Sequence, residues 1–375
     1  VLNIEEAIHF VDFETLLLLA GMMMLVEVLK ELGFFHYVAI KIAKLTGSSS
    51  RFFLAMCLVT ALLSPFLDSV TVVLIFSSIT IAVSKILRKD PRPLLLSEVF
   101  TSNVGGNATL IGEPTNIMVA SHKGFSFVDF VRVLTPVTLM GLLVTIFILL
   151  KFFDPEEEDI SVSLKEFDER AFVRNPVLLK RGVIVFIITI SLFFFHDSLG
   201  LKPSSVALLG AGLILLATKA DMPSILSKLE WGTLIFIGSF FIVVGGLTKS
   251  GVINSLVEWA LSFSLEPYLM MALLGLMAIL GSALIDNVPF VAVMIPVIDR
   301  LSREFGGDVL WWILLAGANM GGNLTPIAAS PNVVIMAVSE REGFPIGFRE
   351  FVKRGSPIVI LTAGIATSYL ILLHW

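Results

Sequence analysis

The sequence predicts an all-α polytopic membrane protein built from two inverted repeats, each holding a re-entrant hairpin and a broken helix. Three observations predict it. Hydrophobic residues make up 56% of the 375 residues and charged residues 15%, too apolar a balance for an ordinary soluble chain. The segment NVGGNATLIGEPTN at 103–116 returns as NMGGNLTPIAASPN at 319–332, with seven of fourteen positions identical. Each copy is preceded by an apolar stretch broken by one acid, Asp68 in LDSVT and Asp286 in IDNVP.

The two copies keep step along their length. Thr15-Leu16 matches Thr233-Leu234 and Gly33 matches Gly251, at a spacing of 216 to 218 residues throughout. Repeat 1 is read as residues 1–153 and repeat 2 as 221–375, with a polar linker at 154–181 and two connecting transmembrane helices in 182–220. Each repeat begins with a plain apolar helix, 15–32 or 233–249. The next stretch, about 52–87 or 268–301, is short for two spans and long for one. A hairpin that turns at the membrane midplane, near Asp68 or Asp286, fits it. The Gly-Gly-Asn segment follows as a broken helix at about 93–120 or 309–338. A plain helix, 135–152 or 357–374, ends each repeat.

Flanking charge sets the orientation. His36, Lys41, Lys44 and Arg51 precede hairpin 1, and Lys85, Arg88, Lys89 and Arg92 follow it, so both its ends read as cytoplasmic. Hairpin 2 follows Glu258 and Glu266 with no nearby Lys or Arg, and reads as entering from outside. The count gives eight full crossings and two hairpins, a multi-pass protein of the plasma membrane with a cytoplasmic linker at 154–181. The two helices in 182–220 have no counterpart before repeat 1, so one or two helices are expected upstream of Val1.

The polar atoms lie where the helices break. Unwound backbone is tolerated in a membrane only where it lines a polar cavity or is buried in protein. Gly105, Gly106, Gly321 and Gly322 free the helix and let a backbone or an ion come close. Pro114 and Pro331 suit the first turn of a restarting helix. Asn107, Thr109, Asn116, Asn323, Thr325 and Asn332 offer oxygens that suit Na⁺, or else cap broken helices. Asp68 with Ser69, and Asp286 with Asn287, sit at the hairpin tips. An acid inside a membrane usually marks an ion or proton path, although capping suits Asp equally. Glu113 has Ala329 as its repeat-2 counterpart, which singles it out for proton coupling beside Asp68 and Asp286.

Other groups read more plainly. Glu27 is expected to be interfacial or to pair with Lys30 rather than to act as a ligand, and His122 and His196 to lie at the membrane interface. The acidic run at 156–159 reads as solvated linker, and Met22-Met23-Met24 as packing. Cys57 is the single cysteine, so neither an intrachain disulfide nor a thiolate metal site can form. No metal site and no cofactor is expected beyond Na⁺ or H⁺ as coupling ion. No basic stripe points to nucleic acid, and no Gly-x4-Gly-Lys-Ser/Thr loop to intrinsic ATP hydrolysis, which leaves an ATPase partner protein open. No nucleophile–base pair marks an enzyme.

At these motifs the chain resembles the ion transporter superfamily, and within it the group of arsenite permeases, bacterial sodium–proton antiporters and the melanosomal P protein. LDSVT at Asp68, GNATLIGEPTN from Asn107 to Asn116, DNVPF from Asp286 and GGNLT at Asn323 carry the resemblance, which covers nearly the whole chain. It implies a homodimer in which a transport domain moves as an elevator against a scaffold. The family often has Asn where Ser69 stands, Asp where Glu113 stands, and Thr-Leu-Ile-Gly where this chain has Thr325-Pro-Ile-Ala328. The function expected is a secondary-active transporter driven by protons or sodium. Arsenite or antimonite efflux and sodium–proton exchange compete as cargo, with sodium-coupled dicarboxylate or citrate transport behind them. A passive channel is the reading from another class. Broken helices build pores too.

Overall fold

A computed structural model of the chain describes residues 2–153, 172–263, 265–305 and 307–373. The acidic run at 156–159 and most of the expected linker lie outside these residues. Repeat 1 contains α1 (Ile4–Phe10), α2 (Phe13–Glu31), α3 (Phe34–Thr46), α4 (Ser49–Leu63), α5 (Ser69–Leu87), α6 (Arg92–Gly106), α7 (Pro114–Lys123) and α8 (Phe127–Phe153). Two helices connect, α9 (Pro176–Phe195) and α10 (Pro203–Thr218). Repeat 2 contains α11 (Met222–Ser227), α12 (Trp231–Lys249), α13 (Val252–Ser262), α14 (Pro267–Leu284), α15 (Asn287–Phe305), α16 (Val309–Gly321), α17 (Ser330–Arg341) and α18 (Phe348–Leu373).

The register of the duplication survives in the fold. The pairs α1/α11, α2/α12, α3/α13, α4/α14 and α5/α15 each start 218 residues apart. Gly33 and Gly251 precede α3 and α13 with φ of 83° and 84°, a left-handed turn that favours glycine. A Cβ on Gly33 would also overlap the carbonyl oxygen of Phe172.

The structure departs from the sequence reading at two places and adds detail at others. The charged flanks after Gly33 and Gly251 form helices of their own, α3 and α13. The helices α8 and α18 begin well before Pro136 and Pro357 and run through them. Their opening turns are polar, with Asp129 and Arg132 or Arg349, Glu350, Lys353 and Arg354, so an apolar window misses them. His196, at the end of α9, is buried: its Nε2 accepts the Phe127 backbone N–H at 3.2 Å, tying α9 to the start of α8. Among the described residues, six helices are long and apolar enough to cross a membrane by themselves: α5, α8, α9, α12, α14 and α18. The broken helices have halves too short for that test. Glu27 pairs with Lys30 at 3.0 Å, as expected.

The helices gather into two groups. In one, α2 packs along α10, which packs on α9, with α1, α11 and α12 beside them. In the other, hairpin α4–α5 lies on α6, hairpin α14–α15 on α16, and α8 and α18 pack on each other and on the broken helices. The groups meet where α2 touches α7, where α12 touches α15 and where α9 touches α8.

Candidate functional site

Four helices start at one place between the two groups. They are α5 at Ser69, α7 at Pro114, α15 at Asn287 and α17 at Ser330, and all line one cavity of about 420 Å³. The first and third follow the hairpin turns, and the second and fourth restart the broken helices. From the other group α2 contributes Leu19 and Met23, and α12 contributes Gly232, Thr233, Phe236 and Ile237.

Four carboxylates line the cavity: Asp68, Glu113, Glu230 and Asp286. Asp68 caps α5, its Oδ1 accepting the Thr71 N–H at 3.0 Å. Asp286 accepts the Val288 N–H at 3.0 Å and the Ser330 hydroxyl at 3.2 Å. Glu113 stands at the start of α7 but makes no cap; its Oε1 accepts the Ser69 hydroxyl at 2.5 Å. Glu230 stands just before α12 and accepts the Thr233 hydroxyl at 3.2 Å. Among the described residues no Lys, Arg or His lines the cavity. Acids at helix starts are favoured by the helix dipole. Among the described residues no three His, Cys, Asp or Glu side chains are grouped to hold a metal ion.

Of the residues singled out by sequence, Asp68, Ser69, Glu113, Pro114, Asp286, Asn287 and Pro331 meet at this cavity. Asn107, Thr109, Asn116, Asn323, Thr325 and Asn332 do not line it. The four asparagines have no solvent exposure, and their side-chain carbonyls already accept hydrogen bonds. The Asn103 amide donates to Asn323 and Asn332 at 2.8 and 2.9 Å. The Asn319 amide donates to Asn107 and Asn116, both at 2.9 Å. Each repeat thus bonds to the other through equivalent residues. Within each repeat the second asparagine closes the break: Asn116 donates to Thr109 O and Asn332 to Thr325 O. The threonines reach back to the hairpins, Thr109 to Pro65 O and Thr325 to Ala283 O.

The glycines serve backbone contact. A Cβ on Gly105 would lie 2.4 Å from the Ala61 carbonyl oxygen, and one on Gly321 would lie 2.9 Å from Ile279 Cα. Gly106 and Gly322 let the chain fold back at the break. Glu230 escaped sequence reasoning because an acid before a helix looks like any cap. Its register was the available signal, since it stands 218 residues after Asp12, the cap of α2.

The pattern of the citrate transporter family matches residues 1–317. The chain belongs to the citrate transporter family. It is a multi-pass membrane transporter rather than an enzyme. An uncharacterized transporter of Mycobacterium tuberculosis (strain H37Rv) is 39% identical over 97% of this chain and 88% of its own length. The 46 kDa membrane protein of Mycobacterium leprae is 38% identical over 99% of this chain and 89% of its own. The human P protein is 29% identical over 99% of this chain and 55% of its own. Among solved structures, the YdaH transporter of Alcanivorax borkumensis has the same fold, with a TM-score of 0.67 at 13% identity over 96% of this chain and 85% of its own.

Proposed function

We propose that the chain is a secondary-active transporter that takes its cargo at the cavity of Asp68, Glu113, Glu230 and Asp286 and couples its passage to protons or another cation. The observation that carries this reading is a set of four carboxylates with no basic residue lining the cavity among the described residues. Acids inside a membrane are costly to leave bare, and a proton or cation offsets them. Exchange of Na⁺ or a similar cation for protons follows most directly, with Glu113 as the coupling group. Arsenite or antimonite, as neutral hydroxides, would need hydroxyls and amides, which Ser69, Asn287 and Ser330 supply.

Citrate is the second reading, favoured by the family match and by the four helix starts, whose N–H groups favour anions. A polycarboxylate would have to enter with protons or metal cations to offset the four acids. In either case the hairpins and broken helices would move as one body past α2 and α12, as an elevator in a homodimer of the plasma membrane.

The test is transport in proteoliposomes with an imposed pH gradient, reading internal pH. Na⁺, Li⁺, arsenite, and citrate with and without Mg²⁺ are added in turn. Proton movement with Na⁺ or Li⁺ supports cation–proton exchange, and movement with citrate or arsenite alone assigns those cargoes. Silence with every addition, in vesicles that hold folded protein, overturns the proton-coupled reading. Cargo that equilibrates but never accumulates would make this a channel.

A further inference from the structure

A further acid lies outside the cavity. Glu98, on α6, has no solvent exposure. Its Oε1 accepts the Thr80 hydroxyl of α5, and its Oε2 has no hydrogen-bond partner among the described residues. Among the described residues no basic side chain pairs with it. The repeat-2 residue in its place is Leu314, so neither the duplication nor the cavity accounts for it.

The charged and titratable groups around it are few. The Cys57 thiol faces it from α4. Helix α16 carries no titratable side chain. Arg51 stands at the start of α4, and α8 holds Asp129, Arg132 and Lys151 toward its ends. Glu340 and Arg341 stand in the last turn of α17, and Arg349, Glu350, Lys353 and Arg354 in the first turns of α18. Lys85, at the end of α5, is held by Glu342 at 2.6 Å. An ionised carboxylate without a counter-ion is costly to bury, so such a group is a place where a proton is kept.

A file of buried hydroxyls runs from the cavity toward it. Ser69 donates to Glu113 at 2.5 Å, Ser69 and Ser64 are 3.1 Å apart, and Ser64, which donates to the Ser102 carbonyl oxygen at 2.8 Å, lies 3.2 Å from the Ser102 hydroxyl. Ser102 stands four residues after Glu98, on the same face of α6 one turn along. Thr60 and Thr101, bonded at 2.8 Å, flank that turn. Each hydroxyl has one proton to donate and two lone pairs to accept, so Ser64 passes a proton along the file by turning away from the Ser102 carbonyl.

We propose that Glu98 is a second proton-binding carboxyl of this transporter, exchanging its proton with the cavity through Ser102, Ser64, Ser69 and Glu113. The proposal rests on Glu113 as a proton-carrying group, and not on any cargo. The test is infrared difference spectroscopy of the full chain in lipid nanodiscs, with H₂O and D₂O exchange. The expected result is a protonated-carboxyl band that Glu98→Gln removes, that titrates with bulk pH, and whose deuterium shift is slowed by Ser64→Ala. Ser64→Ala should leave the band removed by Glu113→Gln exchanging at its usual rate. If Glu98→Gln removes no band, or if the band ignores pH and exchanges equally fast in Ser64→Ala, the proposal falls and Glu98 is a packing group. Should Glu98→Gln fail to fold, Ser102→Ala must slow the same band, and unslowed exchange would sink the idea. These readings need no transport, so silence of the wild type in proteoliposomes would fail the coupled-transport reading separately.

Discussion

Replacing Asn319 with leucine separates a strut from a ligand. The Asn319 side chain donates to Asn107 and Asn116, each at 2.9 Å, and accepts the Thr115 hydroxyl at 2.7 Å. Three bonds between the repeats are lost at once. A stranded buried polar group costs about 1–3 kcal/mol, which would total about 3–9 kcal/mol. Hydrogen bonds between membrane helices average about 0.6 kcal/mol and reach about 1.7, giving about 2–5 kcal/mol for three. The upper part of the second range applies, because Asn107, Asn116 and Thr115 have no exposure and cannot turn to water. Denaturant unfolding in detergent micelles measures the loss. A double-mutant cycle of Asn319→Ala with Asn116→Ala should give a coupling of about 0.6–1.7 kcal/mol. Effects that add within about 0.3–0.5 kcal/mol would refute the strut. So would a leucine variant of wild-type stability that no longer transports, since the amides would then be serving cargo.

Three further outcomes are expected. Gly105→Ala should destabilise by about 1–3 kcal/mol, since its Cβ meets Ala61 backbone; Gly364→Ala, with nothing within 4 Å, should be neutral or gain up to about 1 kcal/mol, and equal melting of the two variants would contradict this. Glu113→Gln keeps an acceptor for the Ser69 hydroxyl but loses the proton, so transport should lose its pH dependence while cargo binding changes little; an unchanged rate–pH profile counts against the coupling role. The hydrogen bond and charge of Lys85 hold the Glu342 carboxyl below its ordinary value, so their pairing is present above the usual carboxylate range and is lost as pH falls through the lowered value. In Lys85→Ala the NMR titration of Glu342 should move up to the ordinary range, and an unmoved midpoint would show that the pair is not formed.

The breaks in the helices were legible because Gly-Gly-Asn and the restarting prolines have few other uses in a membrane. The hairpin turns were legible from Asp68 and Asp286 set in otherwise apolar stretches. The facing of the amides was not legible. Spacing along one chain places Asn103 and Asn319 near a break, but the partner of each is in the other repeat, and only packing decides that. Glu230 was hidden by resemblance to a cap, and Glu98 by standing before the Gly-Gly-Asn motif with Leu314 as its repeat-2 counterpart. The helices α3 and α13 were missed because their charge was used to set orientation.

The crossed amides also bear on ancestry. Asn103 reaches Asn323 and Asn332 as Asn319 reaches Asn107 and Asn116, a reciprocal exchange of the kind that two-fold dimers make. A gene encoding one repeat could therefore have produced two chains that satisfied each other's side chains before fusion. Glu113 opposite Ala329, and Glu98 opposite Leu314, mark where that two-fold correspondence ends: each acid belongs to one half alone.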